Sequence, residues 1–161
     1  MFQICRATSI ANDGFLALLT QVFLENDLGV PDKPALDRFE NIIRQDRVRF
    51  LMALEQQRVV GVISVTFSFS TMLLRPYAIL GDLYVHPGHR GRGCAAALVA
   101  AGMDAAHSEG SSHCITVSSD GLAGIYQRFG WAPKEEGALI VQLDLDGPPP
   151  SLLQTGDFYF D

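Results

Sequence analysis

Gly81-Asp82-Leu83-Tyr84-Val85-His86-Pro87-Gly88-His89-Arg90-Gly91-Arg92-Gly93-Cys94-Ala95-Ala96-Ala97-Leu98 is the stretch from which the rest of the chain can be read. The apolar run Tyr77 to Val85 reads as a strand, and Pro87-Gly88 stops it. A glycine-rich loop follows, and then an alanine-rich helix reaching about His107, ended by Gly110. Strand, loop and helix in that order make an anion site. The first turn of a helix has backbone N–H groups with no intrahelical acceptor, and the helix dipole favours negative charge beside them. Gly91 and Gly93 lack a Cβ, so a phosphate can come close to the backbone. Arg90 and Arg92 bring charge for phosphate oxygens. The segment reads as a diphosphate-binding turn.

Other readings of the loop are open to comparison. A Walker A loop needs GxxxxGK followed by Ser or Thr, which is absent. A dinucleotide loop needs GxGxxG or GxGxxA, and Gly91-Arg92-Gly93-Cys94-Ala95-Ala96 satisfies the looser form. Its context is poor: five residues, His86 to Arg90, separate Val85 from the first glycine, and Asp120 lies too far on to serve as the ribose acid. The plainest reading is a tight turn before a core helix.

Working outward, Phe2 to Arg6 alternates as a short strand, and Thr8 or Ser9 is placed to cap a helix over Asp13 to Leu24. Gly29, Pro31 and Pro34 break the chain before a second helix, Ala35 to Arg44. Val48 to Leu54 and Val59 to Phe69 read as strands joined at Glu55-Gln56-Gln57-Arg58. After the glycine loop and its helix come a strand, His113 to Ser118, a helix, Leu122 to Phe129, and a last strand, Ala138 to Leu145. The order β-α-α-β-β-β-α-β-α-β predicts an α/β or α+β domain with a mixed sheet over residues 1–146. Residues 147–161 read as a Pro-rich C-terminal tail, folded back or docked on a second copy in a homodimer.

The chain has 161 residues, 48% of them hydrophobic and 19% charged, enough to fill one core. A formal net charge of −6 repels phosphate backbones and argues against nucleic acid as the main partner. Cys5, Cys94 and Cys114 are odd in number with no CxxC spacing, so neither a disulfide framework nor a zinc site is expected. With no signal-peptide pattern and no uninterrupted membrane-length apolar run, the sequence reads as a reduced, cytoplasmic protein with no membrane partner.

Three motifs carry a resemblance. Arg90-Gly91-Arg92-Gly93-Cys94-Ala95 resembles the Arg/Gln-x-x-Gly-x-Gly/Ala signature of the GNAT superfamily of acetyl-CoA-dependent N-acetyltransferases. Asp82-Leu83-Tyr84-Val85-His86-Pro87 is similar to that family's fourth strand, and Tyr126-Gln127-Arg128-Phe129-Gly130-Trp131 to its Tyr-x-x-x-Gly-Phe element. Ser119 and Leu122 stand where the family often has Asn and Ala. The motifs cover the second half of the chain; the first half, where this family usually chooses its acceptor, agrees in element order.

The resemblance implies a sheet splayed at strands four and five, with acetyl-CoA in the opening. It implies pyrophosphate binding by the backbone of Arg90, Gly91, Arg92, Gly93, Cys94 and Ala95. Leu83, Tyr84 and Val85 would form the edge that pairs with the pantetheine arm, an N–H near Leu83 would polarise the thioester carbonyl, and Ser119 would hydrogen-bond the arm. The implied reaction is direct acetyl transfer to a primary amine of a small molecule or peptide, through a tetrahedral intermediate. Such chemistry needs a proton for the departing thiolate. Tyr126 is the candidate acid, since a phenol titrates near enough to a thiol to donate. Asp82, on the strand facing the substrate side, is the candidate base or the partner of the substrate ammonium. His86 and His89 lie toward the phosphate end, Cys94 belongs to the loop, Glu25-Asn26-Asp27 offers acid after the first helix, and Tyr77 is a candidate pocket aromatic. A catalytically silent acyl-CoA sensor and a dinucleotide oxidoreductase are the alternatives.

Overall fold

The computed structural model describes residues 2–11, 14–116 and 120–132. Its element order is β1 (Gln3–Arg6), α1 (Phe15–Glu25), α2 (Lys33–Arg44), β2 (Val48–Glu55), β3 (Arg58–Ser70), β4 (Arg75–Val85), α3 (Cys94–Ser108), β5 (Cys114–Ile115) and α4 (Asp120–Gln127), with a 3-10 turn at Pro87–His89. The sheet order is β1-β2-β3-β4-β5. The first four strands are antiparallel neighbours and β5 joins β4 in parallel, so the sheet is mixed. That order excludes the doubly wound parallel sheet of a dinucleotide-binding domain.

Each strand feeds two layers. On β2, Leu51 and Ala53 enter one apolar cluster with Leu98 and Val99 of α3, while Phe50 and Met52 enter a second with Phe15 and Leu18 of α1 and Ile43 of α2. The period of two in β2 thereby seats α3 on one face and α1 with α2 on the other. The hairpin between β2 and β3 is as tight as the sequence allows. Gln56 and Gln57 take φ of 50° and 64°, the left-handed pair that a two-residue turn of matching twist requires.

Several boundaries differ from the sequence reading. Neither Thr8 nor Ser9 caps α1: Ser9 Oγ hydrogen-bonds Glu40, and the cap position is Gly14 at φ 82°. The first turn of α2 includes Lys33 and Pro34, because Asp32 caps it by accepting from the Ala35 N–H at 2.8 Å. Proline is tolerated there, where its missing N–H has no partner to lose. Among the described residues β5 spans two positions, and the expected strand Ala138 to Leu145 and the tail 147–161 lie outside them.

A β-bulge decides what β4 presents. Ser64 pairs with Gly81 and Val62 with Tyr84, so two residues of β4, Asp82 and Leu83, face one of β3. Asp82 takes φ 48° to make room. The bulge reverses the parity of the strand. Ala78 and Leu80 point into the α3-side cluster, and after the bulge so do Leu83 and Val85, which puts Tyr84 with the α1/α2 cluster.

Candidate active site

β4 outruns the described part of β5. They pair at Ala78–Cys114 and Ile79–Ile115, while β4 runs on to Val85. Beyond that point a cleft of about 480 Å³ is bordered by Leu83, Tyr84 and Val85, by Arg90, Gly91 and Gly93 of the loop, and by Ala95 and Ala96 in the first turn of α3. Ile125 and Arg128 close its far side. The expected splay turns on residues 117–119 after β5, which lie outside the described residues.

The floor of this cleft is the α3 N-terminus. Gly93 caps the helix at φ 84° with no side-chain hydrogen bond at the cap, and Gly91 lies at φ 72°. A Cβ at either glycine would meet nothing within 4 Å, so the space before the helix is open. Open backbone donors at a helix start, bordered by glycine, fit a phosphate group. Left-handed φ gives these glycines a second reason beyond their small size.

The two loop arginines are already engaged. Arg90 Nε donates to the Val85 carbonyl at 2.8 Å, its Nη2 sits 3.2 Å from Glu25 Oε2, and its guanidinium lies over the Tyr84 ring. Arg92 makes two bonds to Glu55, at 2.9 and 2.6 Å, and does not border the cleft. His89 Nδ1 is 2.9 Å from the same Glu55 carboxylate. Arg92 first, with His89 adding to it, holds Glu55 below the usual carboxylate range. These pairs clamp the loop to α1 and to the β2–β3 hairpin, leaving the backbone as the main anion donor. His86 is spent locally, its Nδ1 accepting from the Gly88 N–H at 3.2 Å.

Cys94 is a core residue. It is 1% exposed, and its thiol is pushed up to about 11, first by burial and then by Glu55. A thiol so placed stays protonated at neutral pH, against any acyl-enzyme role. Tyr126 is 4% exposed in the same α3-side cluster, its ring 5.2 Å from that of Trp131. Ile125 of α4 and Arg128 just beyond it, rather than Tyr126 itself, border the cleft. Ser119 lies outside the described residues.

A second cavity, about 590 Å³, opens on the opposite face of the sheet between α1, α2 and β4. Asp82 faces it, exposed, with Ser64 Oγ donating to its Oδ2 at 2.7 Å. Among the described residues Asp82 makes no ion pair. Leu83 and Tyr84 border both cavities, so the two meet at the bulge. Tyr84 Oη is buried without a well-aligned partner, near the Glu25 carboxylate; burial first, and Glu25 second, push the phenol up to about 12. Asn26 borders the groove while its amide caps α1 through Val22 O, and Asp27 turns the chain at φ 55°. Tyr77 stacks on His113 with ring centroids 5.3 Å apart and does not border the groove.

Residues 16–131 match the acetyltransferase (GNAT) family. The chain belongs to the GNAT acetyltransferases, and it is an enzyme of the acyltransferase class. No curated protein matches it. Among solved structures, glucosamine-6-phosphate N-acetyltransferase from Arabidopsis thaliana is similar with a TM-score of 0.69 and 21% identity, over 89% of this chain and 97% of that one. An aminoglycoside acetyltransferase from an uncultured soil metagenomic sample, in complex with sisomicin, has a TM-score of 0.73 and 16% identity, over 89% and 96%. A predicted acetyltransferase from Clostridium acetobutylicum, with acetyl-CoA, has a TM-score of 0.69 and 17% identity, over 90% and 97%. At these identities the likeness is one of fold: a GNAT domain with a mixed sheet, five-stranded among the described residues, flanked by helices.

The bulge and the engaged arginines were not foreseen from the GNAT motifs. The bulge had a faint signal, the slip from Ala78 and Leu80 to Leu83 and Val85 in the apolar alternation. The partners of Arg90 and Arg92 lie 65 and 37 residues away in the chain, and nothing local announces them. Among the described residues no three His, Cys, Asp or Glu side chains gather as a metal site, and no helix is long and apolar enough to cross a membrane.

Proposed function

We propose that this acetyltransferase moves an acetyl group from acetyl-CoA directly to a primary amine of a small molecule or peptide, through a tetrahedral intermediate. The observation that carries this reading is the meeting of two cavities at Leu83 and Tyr84, one floored by a helix N-terminus and the other bearing an exposed carboxylate. Acetyl-CoA supplies the activated acetyl group as co-substrate. Backbone N–H groups from Gly91 to Ala95 receive its diphosphate, that of Arg90 being donated to Pro87 O at 3.2 Å, with Arg90 and Arg92 fixing the loop through Glu25 and Glu55. Leu83, Tyr84 and Val85, beyond the described β4–β5 pairs, offer a strand edge to the pantetheine arm, and Ser119 a hydroxyl to the same arm. Transfer without a covalent enzyme intermediate fits the buried, protonated Cys94.

Asp82 is the group at the acceptor end. It binds the incoming ammonium and passes its proton, directly or through water, toward solvent. To Tyr126, buried next to the cleft-lining Ile125, we assign the proton for the departing thiolate. We assign the catalytic domain to residues 1–146 and a separate tail to 147–161, in a protein of the reducing cytoplasm.

Calorimetric titration with acetyl-CoA, with NAD(P)H as control, tests the cofactor half. Saturable acetyl-CoA binding that is lost in Gly93→Asp supports the loop assignment, since a bulky acid there fills the open space and repels phosphate. Binding of NAD(P)H alone would overturn it.

A further inference from the structure

The groove beside Asp82 has a lining that selects its occupant. Its walls are aliphatic and aromatic: Val22 and Leu28 from the α1 side, Leu36 and Phe39 from α2, and Phe50 from β2. Phe39 and Phe50 meet edge to face with centroids 4.8 Å apart, and Phe15 extends the cluster behind them. Leu28 is tied to the helix end by its N–H to Phe23 O at 2.9 Å, yet it is 64% exposed, an apolar surface left for something to cover. Against these walls stands a single charge. Among the described lining residues Asp82 is the sole ionisable side chain apart from Tyr84, and none is Lys, Arg or His.

We infer that the acceptor is a small monoamine with an apolar body of about one aromatic ring, its ammonium on Asp82 and its body against Phe39, Phe50 and Leu36. This rests on the acetyltransferase reading above and narrows it. Charge complementarity gives the direction. One carboxylate pairs with one ammonium, and it lies on the strand whose next two residues border the cofactor cleft, so the paired nitrogen is the one that reaches the thioester. A second or third ammonium would be pressed against Leu and Phe with no further carboxylate among the described lining side chains, which is costly. A phosphate or carboxylate on the acceptor would find no cation among the described lining side chains and would face Asp82 as a like charge. The groove therefore disfavours acceptors of the aminoglycoside and sugar-phosphate kinds. An aromatic body placed beside Phe39 and Phe50 gains buried apolar area and edge contacts instead. The volume, about 590 Å³, suits a small molecule.

The test separates this inference from the reading beneath it. The full chain is titrated by calorimetry with 2-phenylethylamine and with 2-phenylethanol, which has the same body and no charge. The amine is expected to bind saturably, with the alcohol about 10-fold weaker or worse. Asp82→Asn, which keeps shape and removes charge, should erase that difference while its melting temperature stays near that of the parent. In a thiol-release assay with acetyl-CoA, phenylethylamine should exceed glucosamine 6-phosphate and sisomicin by about 100-fold or more in kcat/KM. An amine that binds no better than the alcohol overturns the inference, as does turnover favouring the sugar phosphate or the aminoglycoside. Should the amine bind through Asp82 while acetyl-CoA does not bind at all, the acetyl-transfer reading falls and the monoamine site stands.

Discussion

Ser64 Oγ donates a 2.7 Å hydrogen bond to Asp82 Oδ2 across the β3–β4 bulge. Ser64 is 3% exposed and Asp82 faces the groove, so a buried hydroxyl steers an open carboxylate. The bulge makes this possible: it sets Asp82 on the same face as Ser64, where an unbroken strand would have turned it toward α3. Removing the hydroxyl frees the carboxylate to rotate without changing its charge. We expect Ser64→Ala to raise KM for the amine by about 10-fold and to leave the acetyl-CoA Kd unchanged. Steady-state kinetics beside calorimetry check it, and a shift in the cofactor Kd instead would place Ser64 in the wrong cavity.

Gly61 is where β3 lets α3 approach. A Cβ there would lie 3.0 Å from Leu98 Cδ1, 3.1 Å from Cys94 Sγ and 3.1 Å from the Tyr84 carbonyl oxygen. Side chains can yield, but the Tyr84 backbone belongs to the bulged strand and has little freedom to move. Gly61→Ala should therefore destabilise the fold by about 1–3 kcal/mol, read as the midpoint of denaturant unfolding. Adding Cys94→Ala to it should recover part of the loss, because it clears one of three contacts.

The contrast between these two sites shows what the sequence discloses. The strand, glycine loop and alanine helix were legible from Gly81 to Leu98, because φ freedom, small side chains and apolar runs are local properties. The layering was legible too, through the period of two in β2. The clamps were not: Arg90 with Glu25, and Arg92 with Glu55, join residues that only the folded chain brings together. Tyr77 was placed by its strand alone, and a partner beside the sheet edge, His113, claimed its ring. The bulge lies between these cases, since a parity slip is local but needs the register of β3 to become visible.

Stability should respond to pH at both ends. Tyr84 and Cys94 titrate higher when folded, at about 12 and about 11 against ordinary values of 10.0 and 9.0. Their contribution is complete below the unfolded values. It is lost as pH rises through the folded ones, because the unfolded chain sheds these protons first. Glu25 and Glu55 are held low, by Tyr84 and by Arg92 first respectively, so their contribution is present above 4.5 and lost as pH falls. Unfolding midpoints at pH 8 and pH 11 should draw apart in favour of Tyr84→Phe, which has no phenol to ionise. Equal slopes for parent and variant would remove Tyr84 from the alkaline transition.

Tyr126→Phe separates proton donation from packing. The ring is buried against Trp131 at 5.2 Å within the α3-side cluster, and phenylalanine keeps that shape. The change deletes only the hydroxyl, so folding and the acetyl-CoA Kd should stay near those of the parent. If the hydroxyl protonates the departing thiolate, kcat should fall by about 100-fold, the scale of a lost general acid. The loss should be largest where the leaving group most needs its proton. Acyl donors whose thiols are more acidic than that of CoA should therefore recover much of the rate in the variant and gain little in the parent. Thiol release measured with a donor series checks this, and a variant with parental kcat on every donor would assign Tyr126 to the core and move proton donation to another group at the cleft.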